Sequence, residues 1–263
     1  MFLLRFLLAS LLVASAAVQA QSGSGRKGGG GGPPVERRDH VIEATGLKPA
    51  FPDGVRCEPI SSPFGSTSRY DGSNRRDDRN GSRHGGMDIS LKEGTPLLAV
   101  AAGEVVTAGA GGQLEGNFLW LRHAPEDTGL SFWTFSKYQH LSKVPDLQKG
   151  DRVKVGQVVG LSGATGTQGG HYGAGGYPHL HLTTFYAPTT EFEIRGQYAS
   201  MVSVRDSVMG DPMLLFMPEF RSFEQIAEFK DSGRTVPVAV VGPGAAVQPP
   251  GARRVWPVAC AKR

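Results

Sequence analysis

Three short stretches of the chain carry side chains able to bind a metal or move a proton. They read His84-Gly85-Gly86-Met87-Asp88, Tyr138-Gln139-His140-Leu141 and His179-Leu180-His181. On a β-strand, residues two apart share a face. His179 and His181 therefore project side by side, with Leu180 turned to the other side. Such a pair is either part of a metal or catalytic site or two solvated histidines. His84 and Asp88 stand four apart, a helical spacing, but the two glycines between them oppose a helix. A turn leading into a strand near Asp88 would bring both side chains to one point. Two histidine nitrogens and one carboxylate oxygen make a three-ligand zinc set whose open fourth position is the mark of a catalytic site. Tyr138 and His140 share a face of the expected strand that ends at His140. His140 either approaches the same point from a neighbouring strand or is a half-buried histidine bonded to backbone.

The elements that must position these groups read as β. Short segments rich in Val, Leu, Phe and Trp, punctuated by glycine-containing turns, occupy 96–102, 104–108, 118–122, 131–140, 152–155, 157–161 and 179–186. Strands so closely spaced suggest a sandwich or barrel, and 37 glycines, many clustered, favour a loop-rich β protein over a helix bundle. Helix signals are confined to the C-terminal part. Asp211-Pro212 sets a cap residue before a first-turn proline, and Ser222 with Gln225 forms a capping-box pattern ahead of Ile226 and Phe229, with Gly233 able to end that helix.

The 263 residues suffice for one large domain or two small ones, and 39% hydrophobic against 20% charged residues exclude a wholly disordered chain. The formal charge of +4 is too small to imply nucleic acid, and no base-reading module, phosphate loop or dinucleotide fingerprint is present; no nucleic-acid partner is expected. Met1–Ala20 has the form of a cleaved secretory signal: one positive charge at Arg5, an apolar run, and small residues ending in Val18-Gln19-Ala20. Its apolar run, 6–18, is shorter than the roughly 20 residues that span a bilayer, so no membrane span is expected after cleavage. Residues 21–40 read as a Gly/Pro-rich linker and 41–235 as the folded domain, with its core at 57–190. Residues 236–263 read as a tail, within which 242–254 looks like a second linker. Export makes the two cysteines, Cys57 and Cys260, a candidate disulfide. The polar stretch 66–83, with Arg69, Arg75, Arg76, Arg79 and Arg83, is either a solvated loop or a basic lip beside a cleft for an anionic polymer.

In order and context, the three stretches resemble the lysostaphin-type (LytM-like) zinc metalloendopeptidases, which cleave peptide cross-links of bacterial peptidoglycan. The resemblance runs from about Ile60 to Tyr186. It takes in Ser62-Pro63-Phe64-Gly65, His84 to Asp88, Gly94-Thr95-Pro96, Ala102-Gly103-Glu104-Val105-Val106 and Tyr138 to Ser142. It continues through Lys149-Gly150-Asp151, Gly156 to Gly160, Gly163-Ala164-Thr165-Gly166 and His179 to Leu182. It implies a mainly β fold, an antiparallel β-sandwich (duplicated-hybrid-like) with long loops and short C-terminal helices. It implies one Zn2+ per chain held by His84, Asp88 and His181, with His140 and His179 as unliganded catalytic histidines acting on a zinc-activated water. The expected substrate is peptidoglycan, at a D-Ala–diaminopimelate type of cross-link, with a glycine bridge as the other option, and the expected location is periplasmic or extracellular.

The chain departs from the family pattern at Met87, where an aliphatic residue is usual, and in the long glycine-rich loop 166–178, which contains His171. Residues 192–263 have little counterpart; they would pack on the sandwich or bind a partner such as a regulatory protein. His123 is read as structural and His40 is unassigned. Competing readings are a non-catalytic wall-binding regulator or activator of other hydrolases on the same fold, a swinging-arm or phosphocarrier domain suggested by Lys149–Gly160, and a peptidase of secreted proteins. An intact five-residue set favours the enzyme.

Overall fold

The computed structural model describes residues 42–75, 82–167 and 177–263. The expected signal segment 1–20, the linker 21–40, His40, Arg76, Arg79 and His171 lie outside the described residues. Among the described residues, no helix is long and apolar enough to cross a membrane.

Strands β1 (Lys48–Ala50) and β2 (Val55–Arg56) precede the first site stretch. There follow β3 (Met87–Ser90), β4 (Pro96–Leu98), β5 (Gly103–Ala110), β6 (Asn117–His123), β7 (Trp133–Leu141), β8 (Arg152–Val153), β9 (Val158–Leu161) and β10 (His179–Ala187). The C-terminal part adds β11 (Phe192–Arg195), β12 (Met201–Val204), β13 (Val208–Gly210), β14 (Thr235–Pro237), β15 (Val240–Val241), β16 (Val247–Gln248) and β17 (Ala261–Lys262). A seven-stranded sheet runs β13-β10-β7-β6-β5-β8, with β3 also paired to β10. Every pairing in it is antiparallel. The protein is thus mainly β, built on antiparallel sheets with long loops.

The pleat gives the sheet two different faces. On the inner face Met87, Ile89, Leu119, Leu121, Tyr138, Leu180 and Leu182 join the main core with Leu97, Val100 and Val159, which lie in and around the β4–β9 pair. The Tyr138 hydroxyl ties the layers together, donating to Leu98 O at 3.0 Å and accepting from Val100 N at 2.9 Å. The outer face is half covered by the β11–β12 hairpin: Val202 and Val204 pack with Phe118, Trp120, Phe135 and Ala187. The other end of that face is left for the histidines.

The C-terminal segment completes the inner layer. Trp256, Val258 and Cys260 are buried in the main core, and backbone bridges pair Leu97 with Val258 and Ala101 with Arg254. The stretch 242–254, which composition suggests is a linker, instead includes β16, which pairs with β15 just before it. Its prolines and glycines make turns, while Val247 and Val255 cluster with Leu98 and Val241. Cys57 and Cys260 form a disulfide, with Cα atoms 4.4 Å apart across a sequence separation of 203. Beside it β17 pairs with β2. Both C-terminal helix signals yield 3-10 turns, and the α-helical turn lies outside the C-terminal part, at Pro125–Thr128. Asp211 caps Pro212–Phe216 by accepting from Met213 N, and Ser222 with Gln225 forms the capping box of Phe223–Phe229. That second turn ends at Lys230, before Gly233.

Candidate metal centre

Strand pairing aligns the first and third stretches. His181 stands opposite Asp88 in the β3–β10 register, and Met87 and Ile89 on either side of Asp88 point into the core. Asp88 and His181 are therefore on the same outer face. His84 lies just before β3, where the backbone pairs with an upstream strap: Gly65 N donates to His84 O, His84 N to Ser66 O and Asp88 N to Ser62 O. Gly86 lets this turn lie flat on β10. A Cβ there would come within 2.5 Å of Leu182 O and 2.7 Å of His181 Nε2.

His140 reaches the site by a route that alternation alone does not give. In register, Tyr138 stands opposite Leu182 and Gln139 opposite His181. A regular strand would put His140 on Tyr138's face, away from His181. Between the pairs Asn117–Leu141 and Leu119–Tyr138, two residues of β7 oppose one of β6. This is a β-bulge, which re-aims a side chain, and His140 sits in it with a left-handed φ of 64°. Such a conformation costs a non-glycine residue about 1–3 kcal/mol and persists where the surroundings over-determine it. The His140 ring consequently lies 4.6 Å from the His179 ring and 5.9 Å from that of His181, centroid to centroid.

Each of the four histidines has one nitrogen committed to the protein and the other turned to the site. His84 Nδ1 donates to Pro63 O at 3.1 Å. His140 Nδ1 donates to Thr165 O at 2.8 Å, and His179 Nδ1 to Tyr177 O at 3.0 Å. His181 bonds through Nε2 to the Thr183 hydroxyl at 3.1 Å. A backbone carbonyl only accepts, so at His84, His140 and His179 it fixes the proton on the bonded nitrogen and leaves the other as a lone pair, whereas the Thr183 hydroxyl can either donate to His181 or accept from it. Two of the ring nitrogens turned to the site meet the Asp88 carboxylate: His84 Nε2 to His181 Nδ1 is 3.0 Å, His181 Nδ1 to Asp88 Oδ1 is 2.8 Å and His84 Nε2 to Asp88 Oδ1 is 3.1 Å. His179 Nε2 stands 3.7 Å from the same oxygen.

Three lone-pair atoms so close repel unless a cation or a proton lies among them. Zinc ligands at 2.0–2.1 Å in a tetrahedral set are roughly 3.3 Å apart, so the nitrogen, nitrogen, oxygen donor set fits such an ion in both chemistry and spacing. Burial alone would raise the Asp88 carboxyl, but the imidazoles of His84 and His181 packed against it hold it well below the usual carboxylate range. Burial pushes His181 down to about 4. Burial, then the charges of His179 and His181, push His140 down to about 3, and burial lowers His179 as well. These three rings are neutral at pH 7, the state in which a histidine accepts a proton or binds a metal.

The sequence reading did not single out several residues that hold this arrangement. Tyr177 stacks on His179, with centroids 4.2 Å apart and an interplanar angle of 9°. Burial raises its phenol, so it stays a donor. Thr165 fixes His140, and Arg75 makes an ion pair with Asp88 Oδ2 at 3.5 Å. The aromatic just before Pro178-His179 was a visible signal for Tyr177. Arg75 was visible only as one arginine of a basic stretch. His123, by contrast, lies outside the cluster, bonded to Ala102 O and the Ser136 hydroxyl.

The family model described as Peptidase family M23 matches residues 82–191. The chain is 40% identical over 104 residues to the glycyl-glycine endopeptidase ALE-1 of Staphylococcus capitis, covering 39% of this chain and 25% of that protein. It is 39% identical over 104 residues to lysostaphin of Staphylococcus simulans, covering 39% of this chain and 18% of that protein. To the peptidoglycan DD-endopeptidase ShyC of Vibrio cholerae it is 36% identical over 98 residues, covering 37% of this chain and 19% of that protein. The match thus spans a quarter or less of the length of these relatives.

Proposed function

We propose that this chain, whose residues 82–191 match the Peptidase family M23 model, is an exported zinc metalloendopeptidase that hydrolyses peptide cross-links of bacterial peptidoglycan. The observation that carries the reading is the convergence of His84 Nε2, His181 Nδ1 and Asp88 Oδ1, each about 3 Å from the others. His84, Asp88 and His181 would hold the ion, one per chain. Zinc bound by two imidazoles and a carboxylate would supply Lewis acidity to the scissile carbonyl and bring the pKa of a water towards 7.

The chain's own groups supply the proton traffic. His140 and His179, each with Nδ1–H tied to a backbone carbonyl, present Nε2 as the working atom. One takes the proton of the attacking water at Nε2 and returns it to the leaving amine. The other would hydrogen-bond the oxyanion of the tetrahedral adduct, for which its Nε2 must first take a proton from solvent. Tyr177 fixes the plane of His179 by stacking on it. The bulge and Thr165 fix His140.

We assign the substrate to the D-alanyl–diaminopimelate class. Arg69 and Arg83 lie on the segment that leads into His84; stem peptides of that class carry free carboxylates to meet such cations, whereas a glycine bridge carries none. Export is supported by the form of Met1–Ala20 and by the Cys57–Cys260 disulfide, since disulfides persist outside the reducing cytosol.

The test is the purified chain on isolated peptidoglycan of several wall types, with products read by chromatography and mass spectrometry. Chelator-sensitive, zinc-restored release of un-cross-linked stem peptides is expected, and product masses identify the bond. Release of glycine fragments instead would overturn the substrate assignment. A stoichiometrically zinc-loaded chain yielding no product from any wall would replace the enzyme with a non-catalytic wall-binding regulator.

A further inference from the structure

The two oxygens of Asp88 keep different company. Oδ1 faces His84 Nε2, His181 Nδ1 and His179 Nε2, at 3.1, 2.8 and 3.7 Å. Oδ2 faces donors: Arg75 Nη2 and the Tyr177 hydroxyl, each at 3.5 Å. Arg75 itself is held on the strap that precedes the site. Its backbone N–H donates to Thr67 O at 2.9 Å. Its Nε donates to Ser68 O at 3.2 Å, and its Nη2 to Ser62 Oγ at 3.1 Å. Ser62 is in turn bridged to Asp88 through the backbone, and its hydroxyl lies 3.4 Å from His84 Nδ1. The guanidinium is thus linked to two members of the donor set, to Asp88 directly and to His84 through Ser62.

We infer that Arg75 is a positioning residue that engages Asp88 Oδ2, so that the carboxylate offers the metal Oδ1 alone. This rests on the metal site proposed above. A carboxylate can bind a cation through one oxygen or both. With two histidines and one oxygen, a four-coordinate ion keeps one position for water or substrate. A second carboxylate oxygen would take that position. A planar fork suits the task better than a lysine, because it can contact Asp88, Ser62 and Ser68 from one rigid group. Partners that orient metal ligands in this way typically change metal affinity or activity 10- to 100-fold when removed.

The test loads the full chain and its Arg75→Gln and Arg75→Lys variants with Co2+ in place of zinc, titrating to one ion per chain. Affinity and the visible absorption spectrum are recorded for each. The wild type is expected to bind one Co2+ with the intense absorption of a four-coordinate ion. Arg75→Gln should bind about tenfold more weakly and show the weaker bands of a higher coordination number. Arg75→Lys should fall between, retaining the charge without the fork. Equal affinity and identical spectra in all three proteins would overturn the role of Arg75 and leave the metal site standing. A wild-type chain that binds no Co2+ and no zinc would overturn the metal site, and this role with it. Should Arg75→Gln fail to fold, the lysine variant decides alone: a wild-type spectrum and affinity there would overturn the inference.

Discussion

His123 and the four clustered histidines are the same residue type in two settings, and the difference is in how their nitrogens are used. At His123, Nδ1 donates to Ala102 O at 2.7 Å and Nε2 accepts from the Ser136 hydroxyl at 2.8 Å. Both ring nitrogens are satisfied within the sheet, and Gly103 keeps the space for it: a Cβ there would lie 2.6 Å from the ring. At His84, His140, His179 and His181 one nitrogen is anchored and the other is directed at its neighbours. The site histidines are buried or, at His181, half-buried, and burial lowers His123 to about 4, as it does His181. Burial and a depressed pKa therefore do not separate a functional histidine from a structural one here. The direction of the unused lone pair does.

The sharpest way to break this comparison is to remove the point on which the lone pairs converge. Asp88→Ala deletes the oxygen that lies within 3.1 Å of both His84 Nε2 and His181 Nδ1. It should lose the stoichiometric metal and all activity above the chelated background, as read by metal analysis and wall-product release. Next in size is His140→Ala. Its nitrogen faces the cluster but lies outside the three-atom set, so metal content should stay at one per chain while kcat falls about 10²–10⁴-fold. Loss of the metal in this variant would make His140 a ligand; full activity would make it a second His123.

What was legible in the sequence follows from what local rules can express. The pair His179-Leu180-His181 needs only the two-residue period of a strand, and the Gly85-Gly86 step announces a turn that brings His84 and Asp88 together. His140 is different. Alternation assigns it to the face of Tyr138, and only the count of residues across to β6 reveals the bulge that turns it over. Arg75 and Tyr177 meet Asp88 from 13 and 89 residues away, and no periodicity encodes such a meeting. The C-terminal segment misled by composition. Its prolines and glycines resemble a linker, yet Val247, Val255 and Trp256 bury against strands formed much earlier in the chain. The capping signals at Asp211 and Ser222 were real as caps, but a cap does not decide between an α and a 3-10 turn.

His123→Ala tests the structural side of the comparison. It leaves Ala102 O and Ser136 Oγ without their partner inside the sheet, at a cost of about 2–4 kcal/mol, read by denaturant unfolding of the metal-free chain. Metal stoichiometry should be unchanged. The same residue gives a pH signature. The folded state favours the neutral ring, so this contribution is fully present above the free-histidine value near 6.5. It is lost as pH falls through the folded value of about 4. The wild type should lose roughly 3 kcal/mol across that window on this account alone, and His123→Ala should flatten that part of the profile. An unchanged slope would mean that His123 is not held neutral by the fold.

The smallest expected effect comes from Thr165, the counterpart at His140 of what Ser136 is at His123. Ser136 satisfies its histidine through the side chain, whereas Thr165 does so through its carbonyl, which accepts from His140 Nδ1 at 2.8 Å. The Thr165 hydroxyl works one step further out, donating to Leu141 O at 2.7 Å and accepting from Asn117 N at 2.9 Å. Thr165→Ala removes those two bonds and keeps the carbonyl. Asn117 Nδ2 still donates to Leu141 O at 3.1 Å, so the bulge keeps part of its support. Stability should fall by about 1–2 kcal/mol and kcat by only a few-fold, with KM and metal content unchanged. Thr165→Ser restores the hydroxyl and should restore both. A loss in Thr165→Ala as large as that in His140→Ala would mean that the bulge, rather than the carbonyl it offers to Nδ1, sets the direction of the His140 lone pair.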